Sequence, residues 1–307
     1  MELIRGLNGM TDRRRGCVVT IGTFDGIHLG HQALLAALAA QGRRLGRPKM
    51  VLTFEPMPRE YFAGPECPAR LTSFRERWRV LEHLGVDVLW VLRFAEPLRQ
   101  LSGEAFAALL ARALCAPAVV IGHDFRFGRN GEATAETLRA AGERLGFATE
   151  VIEPVLLDGE RVSSSAARAA LAGGNLERAH RLLGRPYSMI GRVVRGERLG
   201  RQLGFPTANL RLERRRSPLA GIFAVWVHGI GAAPLPAVAS LGRRPTVGGA
   251  EMLLEVHVFD FSGDLYGRRI EVEFVAKLRE EAHFEGVEAL VRQMHEDARQ
   301  ARAILKA

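Results

Sequence analysis

Gly16-Cys-Val-Val-Thr-Ile-Gly22 leads directly into Thr23-Phe-Asp-Gly-Ile-His-Leu-Gly-His31, and the reading of this stretch decides the fold of the first half of the chain. The first part is a short, β-branched, apolar run closed by glycine, which predicts a buried strand. The second part is a turn rich in glycine. His31-Gln-Ala-Leu-Leu-Ala-Ala-Leu-Ala-Ala40 then follows, rich in the best helix formers. The pattern repeats outward. Strands are expected at 50–54, 86–94, 118–122 and 149–154, with helices at 73–84, 102–113 and 133–145 between them. Such alternation predicts a parallel, Rossmann-like α/β sheet with helices on both faces, which binds ligands at the carboxyl ends of its strands.

Around residue 185 the texture changes. A last short helix is expected at 175–183, and Gly184-Arg-Pro186 marks a boundary. Beyond it come short strand-like runs at 187–194, 221–227, 237–241, 253–261 and 269–274, without helices between them, which predict an antiparallel β-barrel. In 285–306, Val287, Leu290, Val291, Met294, Ala298, Ala301 and Leu305 recur at helical spacing. One terminal helix packing its apolar face on the barrel is therefore expected. The predicted domains are 1–184 and 185–307. The Arg214-Arg-Arg216 run reads as a solvated loop.

The chain has 307 residues, 47% of them hydrophobic, which excludes disulfide-stapled miniproteins and disordered chains. No apolar run is long enough to span a bilayer, and Met1–Arg5 lacks the pattern of a signal peptide, so a cytoplasmic location is expected. Cys17, Cys67 and Cys115 are odd in number and far apart, which argues against disulfides and a zinc site. The 43 Lys and Arg against 34 Asp and Glu leave a net charge of +9. That charge suits substrates bearing several phosphates and equally suits nucleic acid. No helix-turn-helix, RNA-recognition or zinc module accompanies it, so no nucleic-acid and no membrane partner is expected.

His28 and His31 lie three residues apart at the start of the first predicted helix, with Gly30 between them. A helix N-terminus presents free N–H groups and partial positive charge to a phosphate, and glycine lets the backbone come close. Two imidazoles on that turn could stabilise charge developing on a leaving pyrophosphate. No Walker lysine follows, so the turn is not a P-loop. Asp25 could instead hold the turn through its own side chain.

Gly22–His31 resembles the HxGH signature of the adenylyl-transferring nucleotidyltransferases, in the version found in bacterial bifunctional riboflavin kinase/FAD synthetases. Thr53-Phe-Glu-Pro56, Gly122-His-Asp-Phe-Arg-Phe-Gly128 and Val162-Ser-Ser-Ser-Ala-Ala-Arg168 continue that resemblance in order. It implies that His28 and His31 bind ATP phosphates, with Gly22, Phe24, Asp25 and Gly30 forming the turn around the nucleotide. It further implies that Asp124 lies near the flavin phosphate or the nucleotide, and that Ser164, Ser165 and Arg168 capture phosphate. Two positions depart from the family. Met57 stands where relatives usually have His after Thr-Phe-x-Pro, and a thioether neither donates a hydrogen bond nor carries charge. Ser165 replaces the more usual Thr and keeps the hydroxyl.

In the second half, Gly191, Gly196, Gly200 and Gly204 surround an Arg-rich loop before Phe205-Pro-Thr-Ala-Asn209. The Thr207 hydroxyl and the Asn209 carbonyl are hard oxygen donors two residues apart, hence on one side of an extended segment, and suit Mg2+. The segment resembles the Pro-Thr-Ala-Asn motif of riboflavin kinases. Gly221–Val225, Leu241–Thr246, Asp264–Gly267 and Phe274–Glu280 with Arg279 also resemble that family, as does Phe284. The resemblance assigns Glu255, in Leu254-Glu-Val-His257, the role of general base. Ser240 stands where relatives often have Asn. The implied activity uses ATP twice, first to phosphorylate riboflavin to FMN and then to adenylylate FMN to FAD with release of pyrophosphate. The rival expectations are a riboflavin kinase with an impaired adenylyltransferase domain, which Met57 alone supports, and a basic nucleic-acid-binding protein.

Overall fold

The computed structural model describes residues 1–6, 16–196, 200, 203–246 and 249–307, the side chains of Pro65, 243–246 and 249–251 excepted. Arg201 and Gln202 of the glycine-rich stretch, and the side chains of Arg243 and Arg244, lie outside the described residues. By packing, the chain divides into one unit of 1–68 and 77–163 and another of 69–76 and 164–307.

In the first unit, six strands form one parallel sheet: β1 (Glu2–Arg5), β2 (Val18–Ile21), β3 (Lys49–Glu55), β4 (Val88–Arg93), β5 (Ala118–Gly122) and β6 (Ala148–Ile152). Among them lie helices α1 (Leu29–Leu45), α2 (Pro58–Ala63), α3 (Phe74–His83), α4 (Glu96–Arg99), α5 (Gly103–Leu114) and α6 (Ala135–Leu145). The spatial order is β1-β4-β3-β2-β5-β6. Strand order therefore reverses between β2 and β5, the switch point where such sheets open a crevice at their carboxyl ends. All four residues of β2 are buried, and Ile21, Leu52, Trp90, Ile121, Leu110 and Leu138 share one apolar core. Within this sheet, β1 is the strand that the sequence pattern misses. It is four residues long, and it gains its place by pairing with Val88–Val91 more than eighty positions away.

After a two-stranded hairpin of β7 (Leu156–Leu157) and β8 (Glu160–Arg161), the second unit begins with α7 (Ser164–Ala172) and α8 (Leu176–Leu183). Six antiparallel strands follow: β9 (Ser188–Val194), β10 (Ala208–Leu212), β11 (Gly221–His228), β12 (Leu235–Thr246), β13 (Gly249–Val258) and β14 (Arg269–Arg279). They close as β10-β13-β12-β11-β14-β9, with β9 returning to β10, so no strand presents an unpaired edge. Alternation sorts the side chains. Leu210, Phe223, Val225, Leu241, Leu254, Val256, Ile270 and Val272 fill the interior at 0–1% exposure.

The terminal helix α9 (Val287–Leu305) lies on the outer face, where Ala301 and Leu305 pack with Ala224, Trp226, Val238, Ala276 and Leu278. The expected apolar stripe holds for this carboxyl half only. Val287 is 61% exposed, and Leu290 and Met294 face a cavity.

The arginine run 214–216 also departs from expectation. Arg214 is buried, its Nη1 donating to the Tyr187 hydroxyl (2.8 Å) and its Nη2 pairing with Glu76. Glu76 Oε1 also accepts from the Ile190 amide (2.7 Å) and Glu76 Oε2 from the Ser73 amide (2.6 Å). A charge run predicts solvent exposure only while no buried carboxylate is within reach, and here the short segment 69–76 supplies one.

Candidate functional sites

At the switch point, β2 ends in a turn that is buried and conformationally constrained. Phe24 (φ 51°) and Ile27 (φ 44°) adopt left-handed backbone angles that side chains disfavour, and both are 0% exposed. Strained residues held by their surroundings concentrate at functional turns. The surroundings are specific: the Thr23 carbonyl accepts from buried Arg77 Nη1 (2.7 Å) and from Thr53 Oγ1 (3.4 Å). Arg77 also pairs with Glu55. Thr53 and Glu55 thus act as props for the turn, a role that their sequence segment did not announce.

His28 caps α1, its Nδ1 accepting from the His31 amide at 3.4 Å. The two imidazoles stack at 3.8 Å between centroids, and Phe24 lies 5.0 Å from the His31 ring. A Cβ on Gly30 would come 3.1 Å from His28 Nδ1, and one on Gly22 3.2 Å from the Phe24 ring, so a side chain at either position would crowd these rings. Asp25 is buried within the same turn. The predicted cluster of Gly22, Phe24, Asp25, His28, Gly30 and His31 is therefore one structure around a helix N-terminus.

Asp124 follows β5, on the other side of the same switch point. Partial burial pushes its carboxyl up, but the hydrogen bond and charge of Arg161 outweigh that and hold it below the usual carboxylate range. Met57 caps α2 with its thioether buried, and its amide donates to Glu60 (3.0 Å). Ser164 and Ser165 open α7, and Arg168 Nε donates to the Ala69 carbonyl (2.7 Å) within the second unit. The sequence reading missed an aromatic group. Tyr61 and Phe62 meet Phe94 edge-on at 5.3 and 5.8 Å, and Phe94 meets Phe54 at 5.9 Å. Phe54 and Phe94 stand at the carboxyl ends of β3 and β4, and Phe62 is 63% exposed there.

The barrel carries its site on the outer face. Cross-strand pairs run Val194–Asn209–Glu255–Ser240–Ile222–Arg279 around it, so residues from six strands stand in one row. Asn209 and Glu255 are directly opposite, which brings their side chains within reach of a shared cation or hydroxyl. Over the row opens a cavity of about 610 Å³, lined by Gly200, Phe205, Thr207, Asn209, Ser240, Glu255, His257, Arg279, Phe284 and, from α9, Leu290, Met294 and Asp297. That volume suits a small organic ligand.

Arg279 is held bidentately by buried Asp297 (2.8 and 2.6 Å) and lies 5.5 Å over the Phe284 ring, fixing both in the wall. A Cβ on Gly196 would stand 2.6 Å from Asn209 Nδ2, and one on Gly200 3.2 Å from Thr207 Oγ1. These two glycines therefore stand close against the oxygen donors. Gly191 instead packs against Leu210, and Gly204 takes a positive φ at the turn before Phe205. His257 and Asp297 are wall residues that no motif singled out. An acid spaced three residues after Met294 and four before Ala301, on an otherwise apolar helical stripe, is the sequence signal for Asp297.

Family models for FAD synthetase and for riboflavin kinase match residues 10–166 and 183–305. The bifunctional riboflavin kinase/FMN adenylyltransferase of Escherichia coli (strain K12) is 45% identical over 98% of this chain and 97% of its own length. That of Pseudomonas fluorescens is 46% identical over 99% and 98%. A solved structure from Streptococcus pneumoniae, described as a macrolide-efflux protein, superposes with a TM-score of 0.85 at 32% identity, covering 98% of this chain and 99% of that one. Among the described residues no helix is long and apolar enough to cross a membrane. The chain belongs to the bifunctional riboflavin kinase/FMN adenylyltransferase family.

Proposed function

We propose that this enzyme phosphorylates riboflavin to FMN on residues 185–307 and adenylylates FMN to FAD on residues 1–184, consuming one ATP in each step, in the cytoplasm. The observation that carries the kinase half is the Asn209–Glu255 pair, directly opposed across two strands in the wall of a cavity open to solvent. Glu255 accepts the proton of the terminal ribityl hydroxyl as its oxygen attacks the γ-phosphorus, and ADP leaves. The oxygen donors there, the Thr207 hydroxyl, the Asn209 carbonyl and the phosphates, fit Mg2+, which neutralises phosphate charge when bound. Thr207 and Asn209 would hold it. Arg279 and Phe284 form the wall against which a flat, polar-rimmed ring packs, and Gly196 and Gly200 admit the nucleotide-binding loop. Gly191 and Gly204 shape that loop from its ends.

In the adenylyl step an FMN phosphate oxygen attacks the α-phosphorus of ATP and pyrophosphate leaves. FMN phosphate is already ionised, so the site's task is alignment and charge neutralisation. The α1 N-terminus, His28 and His31 supply these, with Gly22, Phe24, Asp25 and Gly30 shaping the turn. Ser164, Ser165 and Arg168 add phosphate contacts. Asp124, ionised and paired with Arg161, suits hydroxyl recognition beside the phosphate. The exposed Phe62 face offers an apolar plane for the flavin ring.

Chromatographic resolution of riboflavin, FMN and FAD during incubation with ATP and Mg2+ tests the reading. FMN rising first and FAD later is the expected result. FMN accumulating alone, even when FMN is the substrate supplied, would favour a kinase with an impaired adenylyltransferase. Restored FAD formation in Met57→His would then trace that loss to Met57.

A further inference from the structure

His257 is in none of the roles assigned above, yet it shares a wall with them. It lies two residues beyond Glu255 on β13 and lines the same cavity. Its Nδ1 stands 2.9 Å from the Pro206 carbonyl oxygen. A carbonyl only accepts, so Nδ1 is the donor in this bond. The ring is set edge-on against Phe205 at 5.0 Å and Phe259 at 5.8 Å, so it cannot turn freely about that bond.

The bond falls at a particular place. The Pro206 carbonyl belongs to the peptide unit whose nitrogen is that of Thr207, so orienting one orients the other. Two residues further along, Asn209 is held by its pairing with Glu255. The short stretch bearing both oxygen donors is thus tied to β13 at each end, by a side chain at Pro206 and by the sheet at Asn209. Thr207 directly precedes β10, whose register with β13 begins at Ala208.

We propose that His257 is a positioning residue for phosphoryl transfer, holding the Pro206–Thr207 peptide so that the Thr207 hydroxyl meets the metal–nucleotide together with Asn209. The inference rests on the kinase reading. A side-chain partner that orients a ligating residue typically changes metal affinity or activity by about 10–100-fold when removed.

The test compares His257→Phe, which keeps a flat ring and removes the donor, with His257→Gln, whose amide can donate to the same carbonyl. FMN formation is followed against Mg2+ at saturating riboflavin, and FAD formation from supplied FMN reports on the rest of the molecule. The Phe variant is expected to need about tenfold more Mg2+ for half-maximal rate and to turn over more slowly. The Gln variant should recover most of both, and the KM for riboflavin and FAD formation should be unchanged in either. A Phe variant with wild-type Mg2+ dependence overturns the proposal. So does a Gln variant as impaired as Phe, since bulk and not the donor would then be at issue. Failure of the wild-type protein to form FMN would instead remove the kinase reading beneath it.

Discussion

The two sites are built by opposite means. In the α/β unit, the turn around the α1 N-terminus comes from one continuous stretch, Gly22–His31, and brings two stacked imidazoles with it. In the barrel, the groups come from five strands, β10 to β14, with the segment before β10 and α9, and those on the strands meet only because the register is right. A local site of fixed dipoles spreads its work over several donors. In the kinase reading, the site assembled across strands asks one carboxylate, that of Glu255, to take the proton.

The largest effect should therefore fall on the barrel. Glu255→Gln should reduce FMN formation by about 10²–10⁴-fold and leave FAD formation from FMN intact. Equal loss of both would break the comparison. Next is stability of the second unit. Arg214→Met leaves Glu76 buried with an uncompensated charge and should cost about 3–5 kcal/mol in unfolding experiments. The low-temperature transition should carry loss of FMN formation with it.

A smaller effect is expected in the α/β unit. His31→Ala keeps the backbone donors of α1, so FAD formation should fall by about 10²-fold or less and not vanish. Abolition would mean that the imidazole does chemistry that dipoles cannot replace. A readout confined to the α/β unit, which holds all three cysteines, is smaller still. Burial, helped by the charge of Asp87, pushes the Cys17 thiol up to about 11 from 9.0. Above pH 9 the unfolded chain releases this proton while the folded one keeps it, so stability falls as pH rises toward 11. Cys17→Ala should flatten that alkaline decline by of the order of 1 kcal/mol per pH unit, measured by denaturant melts at stepped pH.

The same contrast explains what was legible in the sequence. Local signals read well. The β5 strand falls where its apolar run places it, and the turn before α1 holds together the residues its motif names. Long-range signals did not. β1 is defined by its partner β4, and Arg214 looks solvated until Glu76 is found 138 positions earlier. Leu290 and Met294 continue an apolar stripe whose periodicity cannot tell a packed face from a cavity wall. The exposed aromatic group draws Phe54 from β3, Tyr61 and Phe62 from α2 and Phe94 from the loop after β4, so no short window of sequence contains it. In the barrel site, Glu255 was found by family resemblance, and His257 beside it carried no signal until its bond to Pro206 was seen.

The small segment 69–76 gives the chain an awkward biography. Glu76 leaves the ribosome 138 residues ahead of Arg214, a wait of roughly 7–28 s at about 5–20 residues per second. Through that interval the carboxylate has no guanidinium to meet, and the Ile190 amide that it also accepts is likewise still unmade. A nascent chain stalled before residue 190 therefore holds a fragment of the later unit with none of its barrel partners. Any attempt to express the barrel alone from residue 185 starts without that fragment, and with Arg214 facing an empty place at its side.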